Sequence, residues 1–263
     1  MMHIVVCAKQ VPNPEAAFSM FRIDEQAKRM VPAPGLQLVM SPFDEQALEA
    51  ALRIRERHAD TKITLMTLGP ESARGAIRHG LAMGADEGVL LRDSAFEDAD
   101  SYATARALAT AIRKLGCDLV LTGRQAADRD TGVVGAGVGE LLGLPVIAFA
   151  KDVQVEGAAV RVERVLDDGT EIVEAAMPAL VTVSNELGAP RAPSLRETMR
   201  AARKPIAVWK AGDLGLAEVD IAPRRIIERL FVPVKDGRCE FIAGSPQAQA
   251  VALAQRLREA KLI

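Results

Sequence analysis

The order of apolar segments in the first half of the chain is the feature that most restricts its fold. Short apolar runs at residues 3–8, 62–68, 87–91 and 119–121 alternate with stretches that repeat apolar residues every three or four positions. The short runs predict strands, and the periodic stretches predict amphipathic helices. Strands that alternate with helices favour a parallel sheet covered by helices on both faces. We therefore predict an α/β fold built on a doubly wound parallel sheet.

Three helices are predicted between these strands. The first begins with Ser41 as its N-cap, has Pro42 at its first helical position and Asp44 completing a box-like cap, and runs to about residue 58. The other two are expected at 71–83 and 101–115, each followed by a glycine that ends it. Ligands of such sheets bind outside the carboxyl ends of the strands. Those ends are expected near residues 7–9, 68 and 122–123, together with the start of the first helix.

The segment from Thr122 to Pro145, TGRQAADRDTGVVGAGVGELLGLP, gives the strongest indication of a site. It predicts a strand end, a loop and a helix, with five glycines between positions 123 and 139. Glycines in that number indicate a close approach to the backbone, either by a neighbouring strand or by a ligand phosphate at the helix N-terminus. The segment lacks the Gly-Lys-Ser/Thr of a phosphate-binding loop, and the dinucleotide fingerprint belongs to the first strand–helix turn instead.

The polar residues before this helix allow two interpretations. Gln125, Asp128, Asp130 and Thr131 offer groups for ribose hydroxyls and phosphate. The alternative is that Asp130 or Thr131 only caps the helix, while the glycines only permit close packing. An enzyme acting on a nucleotide would need an activating lysine or metal-binding acids here, and the neighbouring sequence offers only Arg124 and the two aspartates.

The pattern changes after Pro145. Residues 152–155, 160–166 and 171–175 alternate apolar and polar side chains and are separated by turn residues, which predicts antiparallel hairpins. An apolar strand follows at 179–183. We therefore predict an α/β domain at 1–185 that contains the candidate nucleotide site and includes hairpin strands at about 150–183.

The remaining residues, 186–263, are predicted to form a C-terminal arm. A proline-bounded segment holds a short helix at 194–202 that displays Leu195 and Met199 four positions apart. These side chains either contact a partner or pack down on this domain. Further strands are expected at 206–209 and 225–232, and a last helix at 245–261.

Composition narrows the functional classes. The 263 residues carry a net charge of −2, which gives no indication of nucleic-acid binding. The three cysteines and three histidines are scattered, which argues for a reducing compartment and against a structural metal site. The N-terminus shows no charged segment ahead of a long apolar run, and no apolar run reaches membrane-spanning length. We expect a cytoplasmic protein that is neither secreted nor membrane-embedded.

Six segments in the same order resemble the β subunit of electron-transfer flavoprotein, a family that includes the FixA-type proteins. The most specific is VERVLDDGTEIVEAAMPALVT at 162–182, which matches the family signature through Arg164, the Asp-Asp-Gly turn and Pro178. The others are VVCAKQVP, SPFDEQALEAALR, GLAMGADEGVLL, GRQAADRDTG, and Pro190–Arg191 followed by Leu195 and Met199. Together they extend over nearly the whole chain.

The resemblance implies a fold of the adenine-nucleotide-binding type and a heterodimer with an α subunit that carries the redox FAD. The family pocket falls on Cys7, Ser41, Pro42, Phe43, Asp44, Leu68, Gly123, Arg124, Gln125, Asp128, Asp130, Thr131, Gly132, Val133 and Val134. This pocket holds a structural AMP in mitochondrial-type members. In bifurcating members it holds a second FAD that is reduced by NADH.

The resemblance also implies partners. The segment at about 188–202, with Pro190, Arg191, Leu195 and Met199, is similar to the recognition loop that anchors acyl-CoA dehydrogenases, and the terminal helix is expected to pack on the α subunit. Electrons would pass to a downstream acceptor of the quinone-reductase type. The chain would then be an electron-carrier subunit without catalytic residues of its own. A stand-alone nucleotide-binding module is the alternative from another class.

Two positions depart from the family pattern. Val133 stands where relatives usually have a glutamine in the nucleotide loop, and Val165 stands where the mitochondrial type has an acid after the signature arginine. The pair Asp130–Thr131 resembles the FixA-type loop more than the mitochondrial one. The choice between AMP and FAD stays open at this point.

Overall fold

The structure is a computed structural model that describes residues 1–232, 237 and 239–263. The strands are β1 Met2–Ala8, β2 Gln10–Pro12, β3 Phe21–Asp24, β4 Arg29–Pro32, β5 Leu38–Met40, β6 Thr61–Leu68, β7 Glu87–Leu91, β8 Leu119–Gly123, β9 Val146–Glu156, β10 Ala159–Leu166, β11 Gly169–Ala176, β12 Ala179–Val183 and β13 Ile206–Trp209. The α-helices are α1 Pro42–Arg57, α2 Arg74–Met83, α3 Ser101–Leu115, α4 Val134–Leu142, α5 Leu195–Ala201 and α6 Pro246–Glu259.

A nine-stranded sheet forms the centre, in the order β11-β10-β9-β12-β8-β1-β6-β7-β13. In this sheet order, each neighbouring pair from β9 through β12, β8, β1, β6 and β7 to β13 is parallel. Strand β10 pairs antiparallel with both β9 and β11. The predicted fold class, a parallel doubly wound sheet with an antiparallel extension, is therefore confirmed. Outside this sheet, β3 pairs antiparallel with β4 in a small two-stranded hairpin.

Helices cover both faces of the sheet and enclose two apolar cores. One core contains Leu48 of α1 and Ile77 of α2, and the other contains Leu108 of α3 and Val138 of α4. The central strands β8 and β12 are buried along their whole length. Their mostly apolar sequences, LVLTG and ALVTV, follow from this position, because a strand covered on both faces has no solvent side.

Strand β9 joins the parallel and antiparallel parts of the sheet. Its first residues pair parallel with β12, and its later residues pair antiparallel with β10. Phe149 lies between these parts with φ +62°, where the register with β12 shifts. A bulge of this kind bends a strand and increases its twist. The hairpins are therefore continuous with the central sheet.

The region after residue 185 differs in part from its predicted form. Residues 206–209 form β13, as expected, and pair with β7 at the sheet edge, so part of this region belongs to the central sheet. Residues 225–232 do not form the predicted strand. None of the residues of α6 is buried in this chain. In the part of the chain that the structure describes, no helix has the length and apolar character needed to cross a membrane.

Candidate functional site

A cleft of about 1160 Å³ opens at the carboxyl ends of β1, β6 and β8. Eleven of the fifteen predicted pocket residues line it: Cys7, Asp44, Leu68, Gly123, Arg124, Gln125, Asp128, Thr131, Gly132, Val133 and Val134. Parallel strands place their carboxyl ends on one edge of the sheet, which brings these distant positions together. Of the other four, Ser41, Pro42 and Phe43 lie at the start of α1, next to Asp44, and Asp130 lies in the exposed loop between β8 and α4.

Asp44 links the two strand ends at the base of the cleft. Its side chain is buried, and its carboxylate accepts hydrogen bonds from the backbone N–H of Lys9 (2.8 Å) and of Gly123 (3.1 Å). Burial raises the pKa of Asp44 to about 7, although both N–H donors and the charge of Lys9 oppose the shift. The expected capping role of Asp44 is therefore wrong, because its oxygens face β1 and β8 instead of the start of α1.

Ser41 is the N-cap residue of α1, as predicted, but its side chain does not cap the helix. Its hydroxyl instead accepts a hydrogen bond at 3.4 Å from the N–H of Ala127. Pro42 occupies the first turn of α1, where a missing N–H costs nothing. The start of α1 is thus tied to the loop between β8 and α4, residues 124–133, which we call the glycine-rich loop.

Lys9 brings a positive charge to the glycine-rich loop that the sequence analysis did not predict. Its Nζ lies 2.6 Å from Oδ2 of Asp128 and 2.7 Å from Oδ1. The two residues are 119 positions apart, so the neighbouring sequence gave no sign of this lysine. Its position directly after the first strand was the available signal. The expectation that no lysine lies at the loop is wrong.

The loop between β8 and α4 turns through two residues with positive φ. Asp130 has φ +48° and accepts a hydrogen bond from Nε2 of Gln125 at 3.0 Å, while Gly132 has φ +64°. Helix α4 then begins after Val133, which provides no side-chain cap. The alternative in which Asp130 or Thr131 caps α4 is therefore excluded. Val133, Val134 and Gly135 line the cleft, so the start of α4 faces it.

The glycines of α4 are explained by packing. A Cβ on Gly135 would lie 2.6 Å from Oγ1 of Thr122, and one on Gly139 would lie 2.2 Å from Cγ2 of Val146. Gly137 faces Ala105 of α3 at 3.2 Å. Of the two causes considered for these glycines, a neighbouring strand or helix accounts for all three. The close approach lets α4 begin directly above the sheet edge.

Arg124 forms the wall of the cleft beside Phe43. Its guanidinium lies 5.4 Å from the centre of the Phe43 ring, and Nη1 donates to Oγ of Ser184 at 3.3 Å. Its Nε is buried and has no hydrogen-bond partner among the described residues. Native proteins rarely leave a buried charged donor unsatisfied. Because Arg124 lines the cleft, its positive charge can attract an anionic ligand there.

The opposite wall of the cleft was not predicted. It is formed by residues 92–101 with Thr104 and Leu108 of α3. Asp93 and Asp100 use their carboxylates within the chain, because each accepts hydrogen bonds from backbone N–H groups, including those of Ala211 and Arg224. The cleft thus continues well beyond the glycine-rich loop.

The predicted partner residues lie on a separate surface. Leu195 and Met199 are 78% and 64% exposed, so they project from α5 and do not pack on this domain. Pro190 is half-buried. Arg191 uses its guanidinium within the chain, since Nε lies 2.8 Å from Glu49 and Nη1 lies 2.8 Å from Glu56. The exposed apolar contact is thus provided by Leu195 and Met199.

Comparisons with known proteins agree with this geometry. The electron transfer flavoprotein domain matches residues 34–214. The caffeyl-CoA reductase-Etf complex subunit CarD of Acetobacterium woodii and the electron transfer flavoprotein subunit beta of Thermoanaerobacterium thermosaccharolyticum are each 38% identical, with both chains covered completely. Protein FixA of Azorhizobium caulinodans is 36% identical over 88% of this chain and 85% of its own. The chain therefore belongs to the electron-transfer flavoprotein family, among its β subunits and FixA-type proteins.

Proposed function

We propose that this chain is the β subunit of a heterodimeric electron-transfer flavoprotein and that its cleft holds an adenine nucleotide. The observation that carries this proposal is the cleft itself, where three strand ends, the uncapped start of α4 and the Arg124 side chain meet. Such a combination of backbone N–H groups and cationic side chains suits an anionic ligand.

The described residues divide into groups that fit the parts of a nucleotide. The N–H groups at the start of α4 and the hydroxyl of Thr131 suit phosphate oxygens. Asp128 and Gln125 suit ribose hydroxyls. Leu68 and Cys7 offer apolar contact to a base. Asp44 would not contact the ligand, because its oxygens are used to hold Lys9 and Gly123.

A structural AMP is the first candidate for this nucleotide. A ligand that binds only the folded state stabilises it by about 2.7 kcal/mol at a hundredfold excess over Kd. The second candidate is FAD, as in a bifurcating complex that uses NADH. The cleft, about 1160 Å³ in this chain alone, is large enough for either candidate.

The proposed partners rest on the family resemblance, and the exposed surfaces of α5 and α6 leave room for them. The α subunit would carry the redox FAD, which supplies the electron transfer when bound, and α6 would pack on that subunit. Leu195 and Met199 would contact a dehydrogenase of the acyl-CoA type, and a quinone-reductase-type protein would accept the electrons downstream. This chain would then bind and orient, without acting on a substrate itself. We place the complex in the cytoplasm.

The test is to co-express the chain with its α subunit, purify the complex, denature it and quantify the released nucleotides by chromatography. One FAD and one AMP per heterodimer would support the simple carrier. Two FAD without AMP would support the bifurcating complex, and reduction by NADH would be measured next. A chain that purified as a soluble homo-oligomer without an α subunit would overturn the heterodimer and support the stand-alone module.

A matched variant tests the cleft. Arg124→Met removes the positive charge and the guanidinium donors from the cleft wall while keeping an unbranched side chain. We expect the nucleotide content of the purified complex to fall by about tenfold or more, since hydrogen bonds to charged groups contribute about 1.5–3 kcal/mol. Arg161→Met, on the exposed hairpin, is the control and should leave the content unchanged. An Arg124→Met complex with full nucleotide content would contradict the assigned site.

A further inference from the structure

We propose that Glu49, Arg191, Arg78 and Lys204 are positioning residues that hold the recognition loop, residues 188–202, as a preformed docking platform. The proposal rests on the proposed docking of a dehydrogenase at Leu195. It concerns how the loop is held, and its argument comes from contacts at the two ends of the loop.

The first contact holds the start of the loop on α1. Glu49 is only 4% exposed, and its Oε2 accepts hydrogen bonds from Nε (2.8 Å) and the backbone N–H (3.2 Å) of Arg191. Its Oε1 accepts from Nη2 of Arg191 and from Nε of Arg53, each at 3.0 Å. Paired N–H···O bonds between a guanidinium and a carboxylate fix orientation as well as distance. A buried carboxylate thus fixes a residue 142 positions further along the chain.

The charge state of Glu49 agrees with this geometry. Burial alone would favour its protonated form, but the hydrogen bonds from Arg191 and Arg53 outweigh burial and lower the pKa of Glu49 below its ordinary value. Glu56, two helical turns further along α1, lies 2.8 Å from Nη1 of Arg191. Most of the guanidinium is therefore engaged by α1.

The second contact holds the end of the loop on α2, and it is reciprocal. Nη1 of Arg78 in α2 donates to the carbonyls of Ala201 and Lys204, each at 2.6 Å. Nζ of Lys204 donates in return to the carbonyls of Leu81 and Ala85 at the end of α2. Arg78 thus supplies a cation to carbonyls at and just beyond the C-terminus of α5, and Lys204, three residues after α5, supplies one to carbonyls at and just beyond the end of α2.

Between these contacts the loop presents apolar side chains on a short, capped helix. Ser194 and Glu197 form a reciprocal capping box at the start of α5. Leu195 and Met199 are four residues apart and so lie on the same side of α5. Ala201, in contrast, is 1% exposed and packs in the core. The loop therefore satisfies its own polar groups and leaves an apolar face for a partner.

Such a platform affects binding more than turnover. A loop that is ordered before docking does not lose its conformational entropy on docking, and that loss costs about 1–2 kcal/mol for each backbone residue. Loosening either end should therefore raise the concentration of complex needed for docking. The rate after docking should be unchanged, because neither contact touches a cofactor or substrate.

The experiment uses the complete heterodimer with its flavin and an acyl-CoA dehydrogenase that reduces it. For Glu49→Gln and Arg78→Gln we expect the KM for the complex to rise about fivefold or more at unchanged kcat. Arg191→Lys, which keeps the charge and loses the paired geometry, should give an intermediate value. Glu87→Gln is the control, since the ion pair of Glu87 with Lys62 includes no residue of the loop.

Limited trypsin digestion gives a readout that does not depend on electron transfer. Arg196, Arg200 and Arg203 lie in or just after the loop and are exposed. In Glu49→Gln and Arg78→Gln, cleavage after these residues should accelerate about tenfold relative to wild type and to Glu87→Gln. If Glu49→Gln does not assemble, Arg78→Gln and Arg191→Lys provide the same measurement at both ends.

The outcomes separate this proposal from the docking role on which it rests. If Glu49→Gln and Arg78→Gln both kept the wild-type digestion rate and the wild-type KM, the platform would be overturned. If Leu195→Ala keeps the wild-type KM with every dehydrogenase tried, the docking role fails. The digestion pattern then still decides whether the four residues hold the loop.

Discussion

The glycine-rich loop at 124–133 and the recognition loop at 188–202 follow adjacent strands of the sheet, β8 and β12, yet they treat their polar groups differently. The glycine-rich loop leaves Nε of Arg124 without a partner among the described residues and starts α4 without a side-chain cap. The recognition loop pairs Arg191 with Glu49 and caps α5 with Ser194. One loop keeps polar groups available, and the other exposes apolar side chains.

This difference agrees with the occupants that we propose for the two loops. Backbone N–H groups and a cation at a sheet edge suit a polar, anionic ligand. Two exposed apolar side chains four residues apart on one helix suit a protein surface, because covering them removes apolar area from water.

The largest expected effect comes from removing the carboxylate that supports the glycine-rich loop. Asp44→Ala leaves the buried N–H groups of Lys9 and Gly123 without their acceptor. Since each unsatisfied buried N–H costs about 1–3 kcal/mol, the free energy of unfolding should fall by about 2–6 kcal/mol. Urea unfolding at pH 6 measures this, with the exposed Asp98→Ala as control. A loss below about 1 kcal/mol would show that Asp44 does not hold the two strand ends together.

The next effect is a pH dependence carried by the same residue. The pKa of Asp44 is raised by burial to about 7, from an ordinary value near 4, so between these values the folded state binds a proton that the unfolded state has lost. Its contribution to stability is complete below pH 4 and is lost as the pH rises through 7.

The comparison of wild type with Asp44→Asn isolates the pH-dependent contribution of Asp44 to stability, because the other carboxylates titrate equally in both proteins. As the pH rises from 5 to 8, the free energy of unfolding of wild type should fall relative to that of Asp44→Asn. Urea unfolding at three pH values in this range measures it. A difference that stays constant would show that Asp44 is ionised throughout and that its pKa is not raised.

The sequence predicted the recognition loop in greater detail than the glycine-rich loop, for a physical reason. The start of α5 depends on residues three apart, Ser194 and Glu197, and its exposed face on two residues four apart. Such local patterns can be recognised in a sequence. The supports of the glycine-rich loop are Asp44 to Gly123 and Lys9 to Asp128, which are 79 and 119 positions apart. Only the fold brings them together.

Asp44 also shows how a correct local pattern can mislead. Ser-Pro-Phe-Asp is typical of a capped helix start, and α1 does begin there. The capping role assigned to Asp44 fails because a nearby strand end offers its carboxylate two N–H donors. Likewise, the spacing of Gly135 and Gly139 permitted either a phosphate or a strand nearby, and only the positions of Thr122 and Val146 decided between them.

The smallest expected effect on stability lies on the recognition loop and makes the contrast sharpest. Met199→Gln replaces a 64%-exposed side chain by a polar one of similar length and helix propensity. The free energy of unfolding should change by less than about 0.5 kcal/mol, while the KM for the complex with a dehydrogenase should rise severalfold. Leu187→Ala, at a buried position just before the loop, is the control that should destabilise by about 2–5 kcal/mol. If Met199→Gln lowered stability as much as Leu187→Ala, Met199 would be part of the core, and the apolar face assigned to a partner would be reduced to Leu195.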